Sequence, residues 1–224
     1  MSGLNGKCLT GKRLILFDLD GVLLNSRENM SFAWSKASEA AGIDVDFEAY
    51  FREIGRPFSS ILRRLGIADP DHVVESTFRV ASMERLDLLS FYPKVRRVLV
   101  QLSSEDFMLG IVTSKDKLRT NAIIAMLPVE FDCVRSPNDS FRGKPAPDHL
   151  LMAMAQANVD PSETLYVGDM DADYEAATRA GVDYAHASWG YGEEPEGDCW
   201  LLRDMGDLVQ TDQVAQTEGN KGGE

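Results

Sequence analysis

Cysteine is scarce in this chain, and what there is does not pair. Cys8, Cys133 and Cys199 are odd in number and far apart, with no Cys-x-x-Cys spacing. That excludes a disulfide framework and a cysteine metal pair, and points to a reduced, cytoplasmic setting. Long apolar runs are missing as well. No stretch approaches the ~20 apolar residues of a membrane span. The N-terminus carries Lys7, Lys12 and Arg13 but no apolar run of signal-peptide length. Positive charge is in deficit: 23 Lys and Arg against 36 Asp and Glu give a formal charge of −13. Nucleic acid and anionic membranes are polyanions and are disfavoured as partners. A small phosphate stays admissible where a local cation or helix N-terminus receives it.

What the chain does have is enough apolar residue for a sizeable core, 44% of 224 residues, in one large domain or one domain with a smaller insertion. Leu14-Ile15-Leu16-Phe17 has the length of a buried strand. Helical patterns follow at Asn29–Ala41, Phe47–Ile54, Phe58–Leu65 and Asp71–Leu89, so that residues 25–90 read as all-helical. After a helix at Lys94–Leu102, the pattern changes to alternation. Strands are predicted at Phe107–Val112, Phe131–Val134, Thr164–Val167 and Val182–Ala187, with helices at Lys117–Leu127, Asp148–Ala157 and Asp171–Ala180. Alternation of this kind predicts an α/β fold with a parallel sheet. The helical block reads as an insertion: core at 1–24 and 91–210, helical unit at 25–90, and a disordered tail at 211–224.

Polar residues recur at the C-terminal ends of these strands, where open parallel sheets bind ligands. Asp18 and Asp20 follow the first strand, at a spacing that points both to one side in extended chain. Gly21 lets the backbone turn there. Two like charges so close raise each other's pKa unless a cation intervenes. Thr113, Ser114 and Lys115 follow the 107–112 strand, and Asp169, Asp171 and Asp173 follow the 164–167 strand. Lys144 sits in a loop stiffened by Pro145 and Pro147. Each has an ordinary structural use: solvated turn acids, a helix N-cap, an acidic helix start, a surface lysine. Together they suit a phosphate monoester. Carboxylates from two strands make a hard oxygen site for Mg²⁺. One acid can attack phosphorus, the other can handle the proton, and Thr113 and Lys144 can receive phosphoryl oxygens.

Four segments carry a family resemblance: Asp18-Leu19-Asp20-Gly21-Val22, Val112-Thr113-Ser114, Lys144-Pro145 and Gly168-Asp169-Met170-Asp171-Ala172-Asp173. In this order they resemble the four motifs of the haloacid dehalogenase superfamily. Phe91-Tyr92-Pro93 and Gly143-Lys144-Pro145-Ala146-Pro147-Asp148 resemble its phosphoglycolate phosphatase-like subgroup. The resemblance implies a Rossmann-like core with an inserted helical cap. It implies that Asp18 is the nucleophile and a Mg²⁺ ligand, and that Asp20 is the general acid/base, reaching the metal through its main-chain carbonyl. Asp169 matches the metal-ligand position, and Asp173 its support one helical turn on. Thr113 and Lys144 match the phosphate positions, with Gly21 and Ser114 beside the substrate. Met170 departs from the Ser or Thr often found there.

An acid at position 20 favours phosphate esters over halides and phosphonates. It leaves a β-phosphoglucomutase-type mutase as an alternative, and a catalytically silent regulatory or interaction protein on the same fold as another. The expected partner is a small phosphorylated metabolite. Arg56, in Gly55-Arg56-Pro57-Phe58, is the candidate specificity residue for a carboxylate or second phosphate, or else a solvated loop arginine. Asn25, Ser26, Ser90 and Phe91 are the expected hinge positions for cap movement.

Overall fold

The computed structural model describes residues 7–137 and 140–209, so the tail expected at 211–224 lies outside the described residues. β1 (Leu14–Phe17) and β2 (Leu24–Asn25) precede four helices: α1 (Arg27–Ala41), α2 (Phe47–Phe51), α3 (Phe58–Arg64) and α4 (Val73–Glu84). β3 (Ser90–Phe91) and α5 (Val95–Ser104) then lead into the alternating half. It comprises β4 (Met108–Val112), α6 (Lys117–Ile124), β5 (Cys133–Arg135), α7 (Asp148–Ala157), β6 (Thr164–Gly168), α8 (Asp171–Ala180), β7 (Asp183–Ala187) and β8 (Trp200–Leu202).

Among the described residues the main sheet has six strands in the order β5-β4-β1-β6-β7-β8, all parallel. β1 is central, and all four of its residues are buried. Alternate side chains serve opposite faces. Ile15 and Phe17 join Leu109, Ile111, Leu165 and Val167 in one apolar cluster, which includes Val98, Leu99 and Leu102 of α5. Leu14 and Leu16 join Tyr166 in another, which includes Leu150, Ala153, Ala176 and Ala177 of α7 and α8. A sheet covered on both faces explains the unbroken apolar strands. The register pairs Phe17 with Ile111 on one side and Val167 on the other. The residues that follow these strands therefore emerge side by side at one sheet edge.

Residues between Met30 and Ala81 form a third, separate apolar cluster. Trp34 stacks on Tyr50 with ring centroids 4.4 Å apart, and its indole N–H donates to the Val45 carbonyl at 2.8 Å. The chain enters this helical block through β2 and leaves it through β3. These two strands pair antiparallel, Leu24 with Phe91 and Asn25 with Ser90. Three of the four expected hinge residues thus sit on one short ladder.

Several elements differ from expectation. The helix expected over Asp71–Leu89 is α4, which ends at Glu84 and is followed by a short 3₁₀ turn at Leu86–Leu88. Its start is held by Asp69, whose carboxylate accepts the Val74 and Glu75 amides at 3.0 Å each. α5 begins at Val95 because Lys94 takes φ +68°, outside the helical region. β8 was not anticipated: it is three residues long and owes its place to pairing with β7.

Asn29 is wholly buried and fastens α1 to the end of α4. Its amide donates to the Ser82 carbonyl at 2.9 Å and the Arg85 carbonyl at 2.8 Å, and accepts from the Ser82 hydroxyl at 2.6 Å. Asn29→Ala strands three buried polar groups and is expected to destabilise the protein by about 1–3 kcal/mol. A lower urea midpoint at unchanged slope is the measurement.

Candidate active site

The turn after β1 is built on the Leu19 carbonyl, which accepts the Val22, Leu23 and Leu24 amides at 3.3, 3.0 and 2.9 Å. Gly21 takes φ +86°, and a Cβ there would collide with the Asp169 carboxylate. Glycine is thus required both by the turn and by the closeness of the neighbouring strand end.

Asp18 and Asp20 line one cavity, yet their oxygens have different partners. Asp18 is buried, with Oδ1 3.1 Å from Lys144 Nζ, an ion-pair distance without hydrogen-bond alignment. Asp20 accepts the Ser26 hydroxyl at 2.5 Å on Oδ1, and its Oδ2 is 3.0 Å from Lys115 Nζ. Burial is the main cause that raises the Asp18 carboxyl to about 7. Lys144 opposes the rise, and Asp173 and then Asp20 add to it. The expected repulsion between Asp18 and Asp20 is therefore present but secondary to desolvation.

Asp169 and Asp173 stand at the start of α8. Asp173 Oδ2 accepts the Asp169 and Met170 amides at 3.2 and 3.1 Å, which satisfies the helix N-terminus. Its Oδ1 accepts Lys144 at 2.6 Å and the Tyr166 hydroxyl at 2.8 Å. Asp169 Oδ2 accepts the Tyr191 amide at 2.7 Å, whereas Oδ1 is buried without a hydrogen bond. Burial holds the Asp169 carboxyl well above the usual carboxylate range, with Asp173 and Asp18 adding to the effect.

Lys144 is only 2% exposed, so the surface-lysine alternative is excluded. Burial alone would push its ammonium down, but Asp173 and Asp18 outweigh that and hold it charged. Tyr166 supplies a further acceptor at 3.1 Å.

Asp18, Asp169 and Asp173 each offer an oxygen within 4.8 Å of the others, an arrangement able to hold a metal ion. Asp173 is occupied on both oxygens. Asp18 Oδ1 and Asp169 Oδ1 make no hydrogen bond and are the available donors. Three buried carboxylates against one lysine leave negative charge that a hard divalent cation would offset.

The cavity is lined at the sheet edge by Asp18, Asp20, Thr113, Ser114 and Lys115. Tyr50, Arg56, Phe58 and Phe78 from the helical block line the opposite wall, and Arg119 of α6 also contributes. Thr113 is buried and accepts the Lys115 amide at 3.2 Å. Ser114 gives its hydroxyl to the Gly55 carbonyl at 2.7 Å, which ties the Arg56 loop to the sheet. Arg56 faces the cavity, with Glu53 3.8 Å from its Nε. Met170 also lines the cavity and packs against the helical core.

Lys115, Arg119, Tyr166 and Tyr191 were given no role by sequence reasoning. Lys115 follows Thr113-Ser114 directly and could have been flagged by that adjacency. Tyr166 and Tyr191 acquire their partners only through the tertiary fold, and Arg119, paired locally with Asp116, reaches the cavity only through it.

Because the folded Asp18 binds its proton more tightly than the unfolded chain does, its contribution to metal-free stability is fully present below about pH 4 and is lost as pH rises through about 7. Asp18→Asn is expected to flatten that slope. At pH 8 it should raise the metal-free Tm by about 2–4 °C or more, the shift that 1 kcal/mol produces in a chain of this size. Thermal unfolding in EDTA across pH measures it.

With this geometry in place, comparison with known proteins is informative. The family profile described as haloacid dehalogenase-like hydrolase matches residues 15–187. A phosphoglycolate phosphatase of Aquifex aeolicus is 31% identical over 185 residues, covering 80% of this chain and 86% of that protein. A pyrophosphatase PpaX of Bacillus velezensis is 30% identical over 219 residues, covering 90% and 97%. The crystal structure of a hydrolase from Pseudomonas syringae superposes with a TM-score of 0.80 at 24% identity, covering 88% of this chain and 96% of that one. The chain belongs to the haloacid dehalogenase-like hydrolases.

Proposed function

We propose that this protein is a Mg²⁺-dependent phosphatase of small phosphomonoesters that works through an aspartyl-phosphate on Asp18. The observation that carries the reading is the asymmetric setting of two acids in one cavity. Asp18 lies in the carboxylate cluster beside Lys144, and Asp20 lies apart between Ser26 and Lys115. A cation held by Asp18, Asp169 and the Asp20 main-chain carbonyl would neutralise the nucleophile and the phosphoryl group as they approach.

An Asp18 oxygen attacks phosphorus as the ester P–O bond breaks, and Asp20 donates its proton to the departing oxygen. Asp20 then takes a proton from the water that attacks phosphorus. Phosphate leaves, and the Asp18 carboxylate is restored. Thr113 and Lys144 receive phosphoryl oxygens, and Asp173 with Tyr166 holds Lys144 in place. Residues 25–90 act as a cap over a core formed by 1–24 and 91–210, closing on substrate to exclude water.

Relatives named for phosphoglycolate and for pyrophosphate support a compact leaving group that is itself anionic. Arg56, Lys115 and Arg119 on the cavity wall suit such a group. The Cys8 and Cys133 thiols are buried and free, and burial pushes each to about 11, which leaves them unreactive at neutral pH.

The purified protein is expected to hydrolyse p-nitrophenyl phosphate and phosphoglycolate with Mg²⁺, releasing free phosphate, and to stop in EDTA. Asp18→Asn should lose at least ~10³-fold in kcat. Asp20→Asn should lose about 10²–10⁴-fold on the alkyl ester and less on p-nitrophenyl phosphate, whose leaving group needs no proton. Robust turnover by Asp18→Asn would falsify the assignment of the nucleophile.

A further inference from the structure

Tyr191 touches more functional elements than any role so far given to it explains. It lies in Trp189-Gly190-Tyr191-Gly192, the loop after β7. Its backbone amide donates to Asp169 Oδ2 at 2.7 Å. Its hydroxyl accepts the Ser26 amide at 2.7 Å and lies 3.3 Å from Asn25 Oδ1. Its ring meets Phe51 of α2 edge-on at 4.9 Å. The loop is pressed hard against the metal-cluster strand end, since a Cβ at Gly190 or Gly192 would collide with Asp169 itself. Trp189, two residues before, donates its indole N–H to the Val22 carbonyl at 3.0 Å and meets Tyr92 edge-on at 6.4 Å. One loop therefore contacts the chain at both crossings into the helical block.

The contacts form a continuous path. Asp169 receives the Tyr191 amide, the Tyr191 hydroxyl receives the Ser26 amide, and the Ser26 hydroxyl donates to Asp20 at 2.5 Å. We propose that Tyr191 is a positioning residue that links the metal-binding carboxylate Asp169 to the chain crossing at Ser26, and through it to the proton-handling acid Asp20. This rests on the phosphatase reading for the names of those two roles. The linkage itself rests on geometry. Fixing Asp169 fixes the Tyr191 backbone, which fixes the acceptor of the Ser26 amide. By thermodynamic reciprocity, a crossing held by Tyr191 favours the cation-bound arrangement of Asp169.

The test is amide hydrogen exchange at Ser26 with Mg²⁺ alone added to the full chain, in the wild type and in Tyr191→Phe. That variant keeps the ring, the Phe51 contact and the backbone bond to Asp169, and removes only the hydroxyl. Saturating Mg²⁺ is expected to slow Ser26 exchange in the wild type by about 5-fold or more, the lower edge of ordinary coupling. In Tyr191→Phe the slowing should vanish and, by the same reciprocity, calorimetric Mg²⁺ affinity should fall by about 5-fold, while the global urea midpoint stays unchanged, a combination that general loss of structure would not give. In turnover, kcat should fall about 10-fold with KM within about 3-fold, because Tyr191 does not line the cavity. Wild-type protein that binds Mg²⁺ without slowing Ser26 overturns this inference alone, as does Tyr191→Phe that keeps the slowing. Wild-type protein that binds no Mg²⁺ overturns the metal reading with it.

Discussion

Everything at the site follows from placing three carboxylates and one ammonium where water cannot reach them. Asp18, Asp169, Asp173 and Lys144 are each no more than 3% exposed, and such burial is costly unless every charge finds a partner. Lys144 is therefore held by Asp173, Asp18 and Tyr166 together. Asp173 in turn closes the first turn of α8. The glycines at 21, 168, 190 and 192 are the space this crowding needs, because a side chain at any of them would meet Asp169 or Asp173. Within this cluster, the oxygens left without a hydrogen bond are Oδ1 of Asp18 and Oδ1 of Asp169.

The parallel sheet was legible because its strands are apolar runs separated by helical patterns, and a sheet buried on both faces has to read that way. α7 and α8 begin and end where expected, since Pro147 before the first and Gly181 after the second mark boundaries chemically. The gathering of Asp18, Thr113 and Asp169 was legible for a topological reason: residues that follow parallel strands must share an edge. Less legible were features that depend on exact approach. Lys144 read equally well as a solvated lysine, because nothing local reveals that the loop before α7 turns inward. Tyr166 sits within an apolar strand, and its hydroxyl gains meaning only from tertiary partners: Asp173 at 2.8 Å and Lys144 and the Val112 carbonyl at 3.1 Å each. β8 has three residues and no periodicity to detect.

The two walls of the cavity differ in kind. The sheet edge presents charge held rigidly by buried networks. The helical wall presents rings, with Tyr50 stacked on Trp34 and packed near Phe58 and Phe78. Rings offer shape without strong directionality, and among the described residues the one cation on that wall is Arg56.

The central position of β1 also has a consequence for the order in which the molecule is made. β1 is synthesised well before its two neighbours, β4 at Met108–Val112 and β6 at Thr164–Gly168. The buried residues of the helical cluster, Met30 through Ala81, are all synthesised in between. The residues of the helical wall are therefore all made before the strands that bury Asp18. The carboxylate cluster can close only once α8 has been made, so its desolvation depends on pairing between residues far apart in the chain. A chain truncated before Asp173 would keep every residue of the helical cluster and lack the acid that holds both Lys144 and the start of α8.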